Sequence, residues 1–210
     1  MRKTTLIIIA ILLLSFAIGI YVYPKMPHLM ASHWNSAGNV DGYMSRFWAV
    51  FLMPVISLFI FLLFMLIPKI DPMKKNVEKF RNYFDWCIVL IMLFMLYLYI
   101  LTLLWNFSYR FNMVLMLVPA FGILFYYMGV LVGHAKRNWF IGIRTPWTMS
   151  SSRVWDKTHR LGGILFKISG IIALLGVFFQ KYAIWLVIVP VVAVSIWTAV
   201  YSYLEFRKEN

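Results

Sequence analysis

Apolar positions in this chain occur in long uninterrupted blocks, separated by shorter polar stretches. Six apolar blocks are each about 20 residues long, the length that a helix needs to cross about 30 Å of hydrocarbon. The pattern therefore predicts an all-α membrane protein with six transmembrane helices. The predicted spans are Thr4–Tyr23, Arg46–Pro68, Phe84–Trp105, Asn112–Gly133, Gly162–Phe179 and Tyr182–Glu205.

The overall composition agrees with this class. Of the 210 residues, 63% are apolar and 13% are charged, whereas a soluble domain has about 45–50% apolar and about 25% charged residues. A single soluble core of this size could not bury that excess, and disordered, collagen-like and disulfide-stabilised classes are excluded. The one cysteine, Cys87, lies in an apolar block and allows no intramolecular disulfide.

The basic residues predict an orientation. The net charge is +13, and fifteen of the 20 Lys and Arg residues fall on one side of the six-span plan, with four on the other. Because basic loops stay in the cytoplasm, both termini are expected there, in a multi-pass protein of the plasma membrane. The charge is then explained by cytoplasmic loops that face anionic membrane lipids, without direct binding to nucleic acid.

Ionisable side chains are almost absent from the predicted spans. Lys167 lies inside the fifth span, about one turn from its cytoplasmic end, so its ammonium is expected to reach the surface. Proton-coupled or sodium-coupled transport is therefore poorly supported. A small-molecule or lipid transporter (flippase) stays an alternative, with Pro54, Pro119 and Pro190 shaping a cavity between helices.

Two polar segments interrupt the spans and hold all four histidines. Residues 24–45 are expected outside the cytoplasm and residues 134–163 inside it. We predict two regions on this basis. Residues 1–83 would hold the first two spans, the outer cap segment and a basic cytoplasmic loop, and residues 84–210 would hold four spans and the cytoplasmic segment.

The outer segment is rich in turn-forming residues. Asn and Asp side chains bond to nearby amides and Gly adopts positive φ, so we predict a compact cap with a short strand at His33–Trp34. Two imidazoles and a carboxylate are chemically suited to zinc. Their spacing matches no metal motif, so we predict no metal and no cofactor. The candidate cap residues are His28, His33, Asn35, Gly38, Asp41 and Gly42.

The cytoplasmic segment contains a predicted short helix. Pro146 disfavours helical backbone just before it, and the serines at Ser150–Ser152 provide a helix N-cap. The helix is expected over Ser151–Leu161 and should end at the following glycine. In it, Trp155 and His159 share one face, flanked by basic residues, so we expect an amphipathic interfacial helix with its aromatic face toward lipid.

The residue types of hydrolases occur in this segment without a suitable arrangement. Serines, Asp156 and His159 lie together on one short helix, and no Gly-x-Ser-x-Gly elbow is present. No zinc-protease or nucleotide-binding motif occurs either. We predict that the protein is not an enzyme, and a metal-dependent membrane enzyme that uses His33 or His159 stays a second alternative.

The cytoplasmic segment contains the runs Asn138-Trp-Phe-Ile-Gly-Ile-Arg-Thr-Pro-Trp-Thr148 and Arg153-Val-Trp-Asp-Lys-Thr-His-Arg-Leu-Gly-Gly163. Both resemble the signature of the SdpI family of bacterial membrane proteins. The outer segment contains Pro27-His28, His33-Trp-Asn-Ser-Ala-Gly38 and Asp41-Gly42. These resemble the small domain of unknown function that the family carries between its first two spans.

The resemblance implies a function and two partners. It implies immunity of the producer cell to a secreted peptide toxin, which would be met on the extracytoplasmic side. It also implies a receptor role, in which a transcriptional autorepressor is bound at the cytoplasmic side. The residues that match the signature, and that we expect to bind a partner or to signal, are Arg144, Thr145, Pro146, Trp147, Arg153, Trp155, Lys157, His159 and Arg160.

Overall fold

The computed structural model describes residues 2–209, and within them it contains eight α-helices and a two-stranded sheet. The helices are α1 (Lys3–Val22), α2 (Arg46–Ile70), α3 (Lys74–Lys79), α4 (Arg81–Asn106), α5 (Met113–His134), α6 (Pro146–Ser150), α7 (Ser152–Leu175) and α8 (Ala183–Arg207). The strands are β1 (Leu29–Trp34) and β2 (Val40–Ser45). Within the described residues, six helices are long and apolar enough to cross a membrane, so the six-span prediction is confirmed.

Helix α4 lies at the centre of one half of the bundle, where it packs on α1, α2 and α5. Helix α5 packs on α7, and α7 packs on α8. The buried cluster between them includes Val77, Met92 and Trp155, which are almost fully inaccessible. Many other large apolar side chains are exposed. In a bundle of six potential spans, such a surface is the one that faces lipid.

Glycines set the close contact between α5 and α7. A Cβ at Gly129 would lie 2.6 Å from the carbonyl oxygen of Gly163, and a Cβ at Gly170 would lie 2.5 Å from the amide nitrogen of Tyr126. No larger residue fits at these positions without moving a helix. Small residues permit this backbone approach, which is a common way for membrane helices to associate.

The connection between α1 and α2 forms an antiparallel β-hairpin. The pairing runs from Leu29 opposite Ser45 to Trp34 opposite Val40, so it includes the strand expected at His33–Trp34. We name the hairpin and the neighbouring helix ends the hairpin end of the bundle. The opposite end carries residues 134–163, which we name the signature segment, and is the signature end.

The helix predicted to end at Gly162 does not end there. Helix α7 begins at Ser152 and continues without a break to Leu175, because the glycine pair serves helix packing instead of terminating the helix. A Cβ at Gly162 would lie 2.4 Å from Cδ1 of Ile143, and a Cβ at Gly163 would lie 2.9 Å from the carbonyl oxygen of Gly129. The prediction of a separate interfacial helix is therefore wrong.

This correction changes the position of Lys167. The fifth spanning helix begins ten residues earlier than the predicted Gly162. At a rise of about 1.5 Å per residue, Lys167 lies about 22 Å from the start of α7. Lys167 is therefore about four turns from the start of its helix, and the expectation that it lies about one turn from the cytoplasmic end of the membrane span stays a prediction.

Candidate functional site

The signature segment is folded around one buried amide, that of Asn138. The side chain is fully buried and uses both ends of the amide. Its Nδ2 donates to the carbonyl oxygens of Lys136 and Ile141, each at 2.8 Å, and its Oδ1 accepts from the amides of Phe140 and Ile141 at 2.9 and 2.6 Å. A buried amide with all these bonds fixes the turn that leads from α5 into the segment.

A second anchor comes from the α2–α3 connection. Asp71 is buried, and its carboxylate accepts from the amides of Met73, at 2.6 Å, and Trp139, at 3.0 Å. Nearby, Asn76 Nδ2 donates to the carbonyl oxygen of Arg137 at 2.9 Å. These bonds tie the signature segment to the part of the chain that precedes α4.

The short helix α6 has an N-terminal cap that joins it to α8. Thr145 has extended backbone, as expected for the residue before a proline. Thr145 and Thr148 form a reciprocal capping box, and the hydroxyls of Thr145 and Ser202 lie 2.9 Å apart. The hydroxyl of Thr148 also donates to the carbonyl oxygen of Ile143 at 2.9 Å. Helix α6 was not predicted, because a five-residue helix leaves no periodic signal.

Trp155 and His159 are buried, whereas the sequence predicted that they face lipid. Their rings stack with centroids 3.8 Å apart. Trp155 Nε1 donates to the carbonyl oxygen of Ala135 at 2.9 Å, and His159 Nε2 accepts from the amide of Ile143 at 3.0 Å. His159 Nδ1 lies 2.9 Å from the Trp155 carbonyl oxygen, so the geometry fits a neutral imidazole protonated at Nδ1.

The N-cap predicted within Ser150–Ser152 is confirmed at Ser151. Its hydroxyl oxygen accepts from the amide of Val154 at 3.2 Å. The cap starts α7 in the register that buries Val154, Trp155 and Thr158 on one face. The stacked pair is therefore a structural feature of the core as well as a match to the signature.

The basic residues of the signature segment lie at the surface with varied partners. Arg144 donates to the carbonyl oxygen of Trp139, Lys157 pairs with Glu205, and Arg153 Nε lies 3.8 Å from Glu209 Oε1. Arg160 is exposed. Pro146 is exposed, and Trp147 packs at 5.1 Å between ring centroids against Tyr203. The nine predicted residues thus divide into buried structural members and an exposed, mostly basic surface.

The described N-terminus is fixed at this same end by an ion-pair network. Arg2 bonds to Asp85 at 2.8 Å and to Glu78 at 3.0 Å, and Arg81 bonds to both carboxylates at 2.6 and 3.1 Å. The hydrogen bond from Asp85 and its negative charge, helped by Glu78, raise the pKa of Arg2 above its ordinary value. The network connects α1, α3 and α4.

At the hairpin end, one residue of α4 clamps the sheet. Asn106 Oδ1 accepts from the amide of Ala31 at 2.8 Å, and its Nδ2 donates to the carbonyl oxygen of Ala31 at 3.0 Å. The side-chain amide therefore pairs with the backbone of β1 as a further strand would. Sequence reasoning missed Asn106, because an asparagine at a helix end gives no indication of a distant strand partner.

Two indole rings and a guanidinium pack together beside this clamp. The rings of Trp34 and Trp105 meet edge to face at 5.6 Å, and the guanidinium of Arg110 lies 3.7 Å from the Trp105 ring centroid. Arg110 donates one hydrogen bond, to the carbonyl oxygen of Trp105 at 2.8 Å. Its other N–H groups have no acceptor within residues 2–209 and are available to a ligand. Trp34 Nε1 is buried without a protein acceptor.

Three clefts surround the hairpin and meet at the α4–α5 loop. Their volumes are about 410, 510 and 490 Å³, and Asn112 lines the first two while Arg110 lines the last two. In the same loop, Ser108 has φ of +74°, an uncommon conformation for a residue with a side chain and one that often accompanies binding sites. Lys25, Arg110 and Lys181 line these clefts.

The predicted cap residues mainly build the hairpin. Asn35 Oδ1 accepts from the amides of Ala37 and Asn39, each at 3.0 Å, and Gly38 has φ of +83°. His33 Nδ1 pairs with the carboxylate of Asp41. Gly42 lies opposite His33 in the sheet, and His28 is exposed. Within residues 2–209, no three His, Cys, Asp or Glu side chains are grouped to hold a metal ion.

The fold and its two polar ends define a polytopic α-helical membrane protein with a hairpin domain inserted after the first span. Residues 134–202 match the SdpI/YfhL protein family, and residues 10–58 match a domain of unknown function (DUF1648). The chain is 31% identical to the immunity protein SdpI of Bacillus subtilis (strain 168) over 209 residues, which is 99% of this chain and 98% of the relative. No solved structure matches the chain significantly.

The chain therefore belongs to the SdpI family. It is a multi-pass protein of the plasma membrane, and its family is not a known family of enzymes. The family match ends inside α8, so it covers the signature segment, α7 and most of α8.

Proposed function

We propose that the protein is an immunity protein that binds a secreted peptide toxin at its hairpin end. The near full-length similarity to the immunity protein SdpI supports this function. The observation that carries the location is the group of three clefts around the hairpin, two of which are lined by Trp105 and Arg110. They offer apolar rings, an available guanidinium and a backbone held in a strained turn, which together suit a peptide with an apolar side and an anionic group.

The charge pattern supports recognition of an anionic group at this end. Four cations lie there, and Asp41, the one acidic residue at this end within residues 2–209, is engaged by His33. A cationic surface of this kind attracts an acidic or carboxylate-bearing peptide and raises its rate of association. Exposed aromatic side chains, including Tyr43, Tyr109 and Phe178, supply contact area beside the cations.

The proposal requires that the hairpin end faces outward. The fifteen-to-four distribution of Lys and Arg supports cytoplasmic termini and a cytoplasmic signature end. Ser36→Cys and Ser152→Cys place thiols at exposed positions on opposite ends, in a chain whose native Cys87 is buried. In intact cells, a membrane-impermeant maleimide should label the first variant and should label the second only after the membrane is opened. Labelling of Ser152→Cys alone in intact cells would contradict the orientation.

The immunity function is tested by complementation. A Bacillus subtilis strain without SdpI is killed by the toxin against which that protein protects, and expression of this chain should restore growth. A second arm deletes the gene from its own host and challenges the mutant with the host's concentrated culture supernatant. If the chain reaches the membrane in normal amounts and protects in neither arm, the proposed function is wrong.

A second proposal concerns the exposed basic surface of the signature segment. We propose that Arg144 and Arg153 receive an acidic patch of a soluble cytoplasmic partner, in the way that a membrane receptor sequesters a transcriptional autorepressor. The rigid, fully bonded backbone beneath these residues supports a docking role. The double variant Arg144→Gln/Arg153→Gln should keep toxin tolerance and lose recruitment of a fluorescently tagged repressor to the membrane. Full recruitment by this variant would contradict the proposal.

A further inference from the structure

Two cations on one face of α7 have no partner within residues 2–209. Arg160 and Lys167 form no hydrogen bond, ion pair or ring contact there. They are seven residues apart, which is about two helical turns, so both side chains leave the helix in the same direction. Their Cα atoms are therefore separated by about 10 Å along the helix axis.

This face of α7 is the one that meets lipid. The residues around Lys167 on the helix surface are Ile164, Ile168 and Ile171, with exposed fractions of 51%, 45% and 51%. Gly162, Ser169 and Ala173, on the other side of the helix, are buried, and Gly163 and Gly170, one turn before and after Lys167, pack against α5, so Lys167 lies at the edge of the α5–α7 contact. The two cations thus project from an otherwise apolar surface.

Lys167 lies well along α7 from the ion pair at the signature end. The ion pair between Lys157 and Glu205 joins α7 to the last turn of α8 at the signature end. Lys167 is ten residues further along, or about 15 Å, and about 12 Å before Leu175 at the other end of the helix. Its four-carbon stem is too short to return the ammonium to the level of that ion pair. An unpaired charge on an apolar helix surface is unfavourable in a membrane protein and indicates a functional site.

Residues 2–209 provide no free carboxylate as a counter-ion for these cations. The nearby carboxylates are engaged by other cations: Asp156 lies 3.9 Å from Lys136, Glu209 lies 3.8 Å from Arg153, and Glu205 accepts from both Lys157 and Lys208. An anion for Arg160 and Lys167 therefore has to come from outside the chain.

The surface beside the two cations has room for a small anionic group. The stem of Lys167 lies over Gly129 of α5, where a Cβ would be 2.8 Å from Lys167 Cγ. One turn toward the signature end, Gly133 is exposed, and a Cβ there would meet only the Cα of Gly163, at 3.9 Å. The seam between α5 and α7 is open at this point, next to both cations.

We propose that this surface binds one anionic phospholipid, with its phosphate between Arg160 and Lys167 and its acyl chains over the isoleucines. Helical side chains lean toward the N-terminus of their helix, which directs the ammonium of Lys167 toward Arg160. Charge-assisted bonds from both groups hold the phosphate, as basic pockets between membrane helices hold anionic headgroups. A lipid reaches the site by lateral diffusion, whereas a peptide would have to enter the hydrocarbon. The site does not depend on the proposed immunity function.

The full-length protein is reconstituted in mixed phosphatidylglycerol and phosphatidylcholine vesicles, extracted in mild detergent, and analysed by mass spectrometry for retained lipid. The wild type should retain phosphatidylglycerol in preference to phosphatidylcholine, also in excess inorganic phosphate. Lys167→Leu and Arg160→Gln should each lower retention about tenfold, the effect of one lost charge-assisted bond. Lys167→Arg should keep it, and so should the control Lys181→Gln, an exposed cation at the hairpin end.

Several results would overturn the proposal. These are equal retention of phosphatidylglycerol by Lys167→Leu and wild type, equal retention of both lipids by the wild type, or displacement of the lipid by inorganic phosphate. A wild type that retains a second copy of the chain at this face instead of lipid would overturn it as well. If Lys167→Leu does not fold, the exposed Arg160→Gln and the charge-conserving Lys167→Arg decide between the outcomes.

Discussion

At the signature end, the side chains of Asn138, Trp155 and His159 are buried, and their polar atoms are all paired. At the hairpin end, Tyr43 and Arg110 are exposed, and the guanidinium keeps most of its donors free. Both ends carry residues that match the family. Most of the matching residues build structure at both ends, whereas Arg110, the exposed candidate for recognition at the hairpin end, lies outside both matched ranges.

The largest expected effect comes from the buried tryptophan of the signature. Trp155→Ala removes a fully buried side chain and its bond to Ala135, so it should lower the free energy of unfolding by about 3–5 kcal/mol. Heating in detergent followed by size-exclusion chromatography measures the loss. The matched control is Trp185→Ala, since Trp185 is 59% exposed. An equally small effect of both substitutions would contradict a structural role for the signature.

The next effect distinguishes two members of the same signature. His159→Ala leaves the amide of Ile143 without its acceptor, which should cost about 1–3 kcal/mol in unfolding free energy. Arg153→Ala removes an exposed side chain with one long ion pair and should change stability by less than about 1 kcal/mol. If Arg153→Ala were the more destabilising of the two in the same thermal assay, the division into buried and exposed members would be wrong.

A smaller effect is expected at the hairpin clamp. Asn106→Ala removes both bonds to Ala31, at a cost of about 1 kcal/mol, and it should release the hairpin without unfolding the bundle. Limited proteolysis from the outer side should then cut within residues 29–45 faster than in wild type. Asn82→Ala, at an exposed asparagine of the signature end, is the control. Unchanged hairpin proteolysis in Asn106→Ala would show that the clamp is not needed.

The most local of these effects concerns the hairpin turn. Gly38 has φ of +83°, and a Cβ there would lie 2.7 Å from Asn112 Oδ1. Gly38→Ala should therefore cost about 1–2 kcal/mol locally and weaken toxin tolerance with little change in the thermal stability of the bundle. Ala37→Ser, on the neighbouring exposed residue, should leave tolerance unchanged. If the Gly38→Ala variant kept full toxin tolerance, the turn would not be needed for toxin recognition.

The elements that follow from local pattern were predictable, and those that depend on distant contacts were not. Block length predicted the six spans, and turn chemistry predicted the turn around Asn35 and Gly38, but the pairing of two strands into a hairpin was not predicted. The glycines at Gly162 and Gly163 were taken as a helix end, because a glycine required by a neighbouring helix has the same local appearance as one that ends a helix.

The candidate site shows the same limit. The resemblance identified the signature residues but did not show that Trp155 and His159 are buried, since helical spacing gives a shared face and not its direction. Asp71 and Asn106 act on backbone far away in the chain. No local pattern distinguishes them from other polar residues at helix ends.

The central claim is that toxin is recognised at the hairpin end through Arg110. Survival in the presence of toxin is measured for cells that carry equal membrane amounts of wild type, Arg110→Gln or Arg153→Gln, the two variants being exposed arginines at opposite ends. Arg110→Gln should lower the tolerated toxin concentration about tenfold, as expected for one lost charge-assisted contact, and Arg153→Gln should match the wild type. Wild-type tolerance in Arg110→Gln together with a loss in Arg153→Gln would contradict the account.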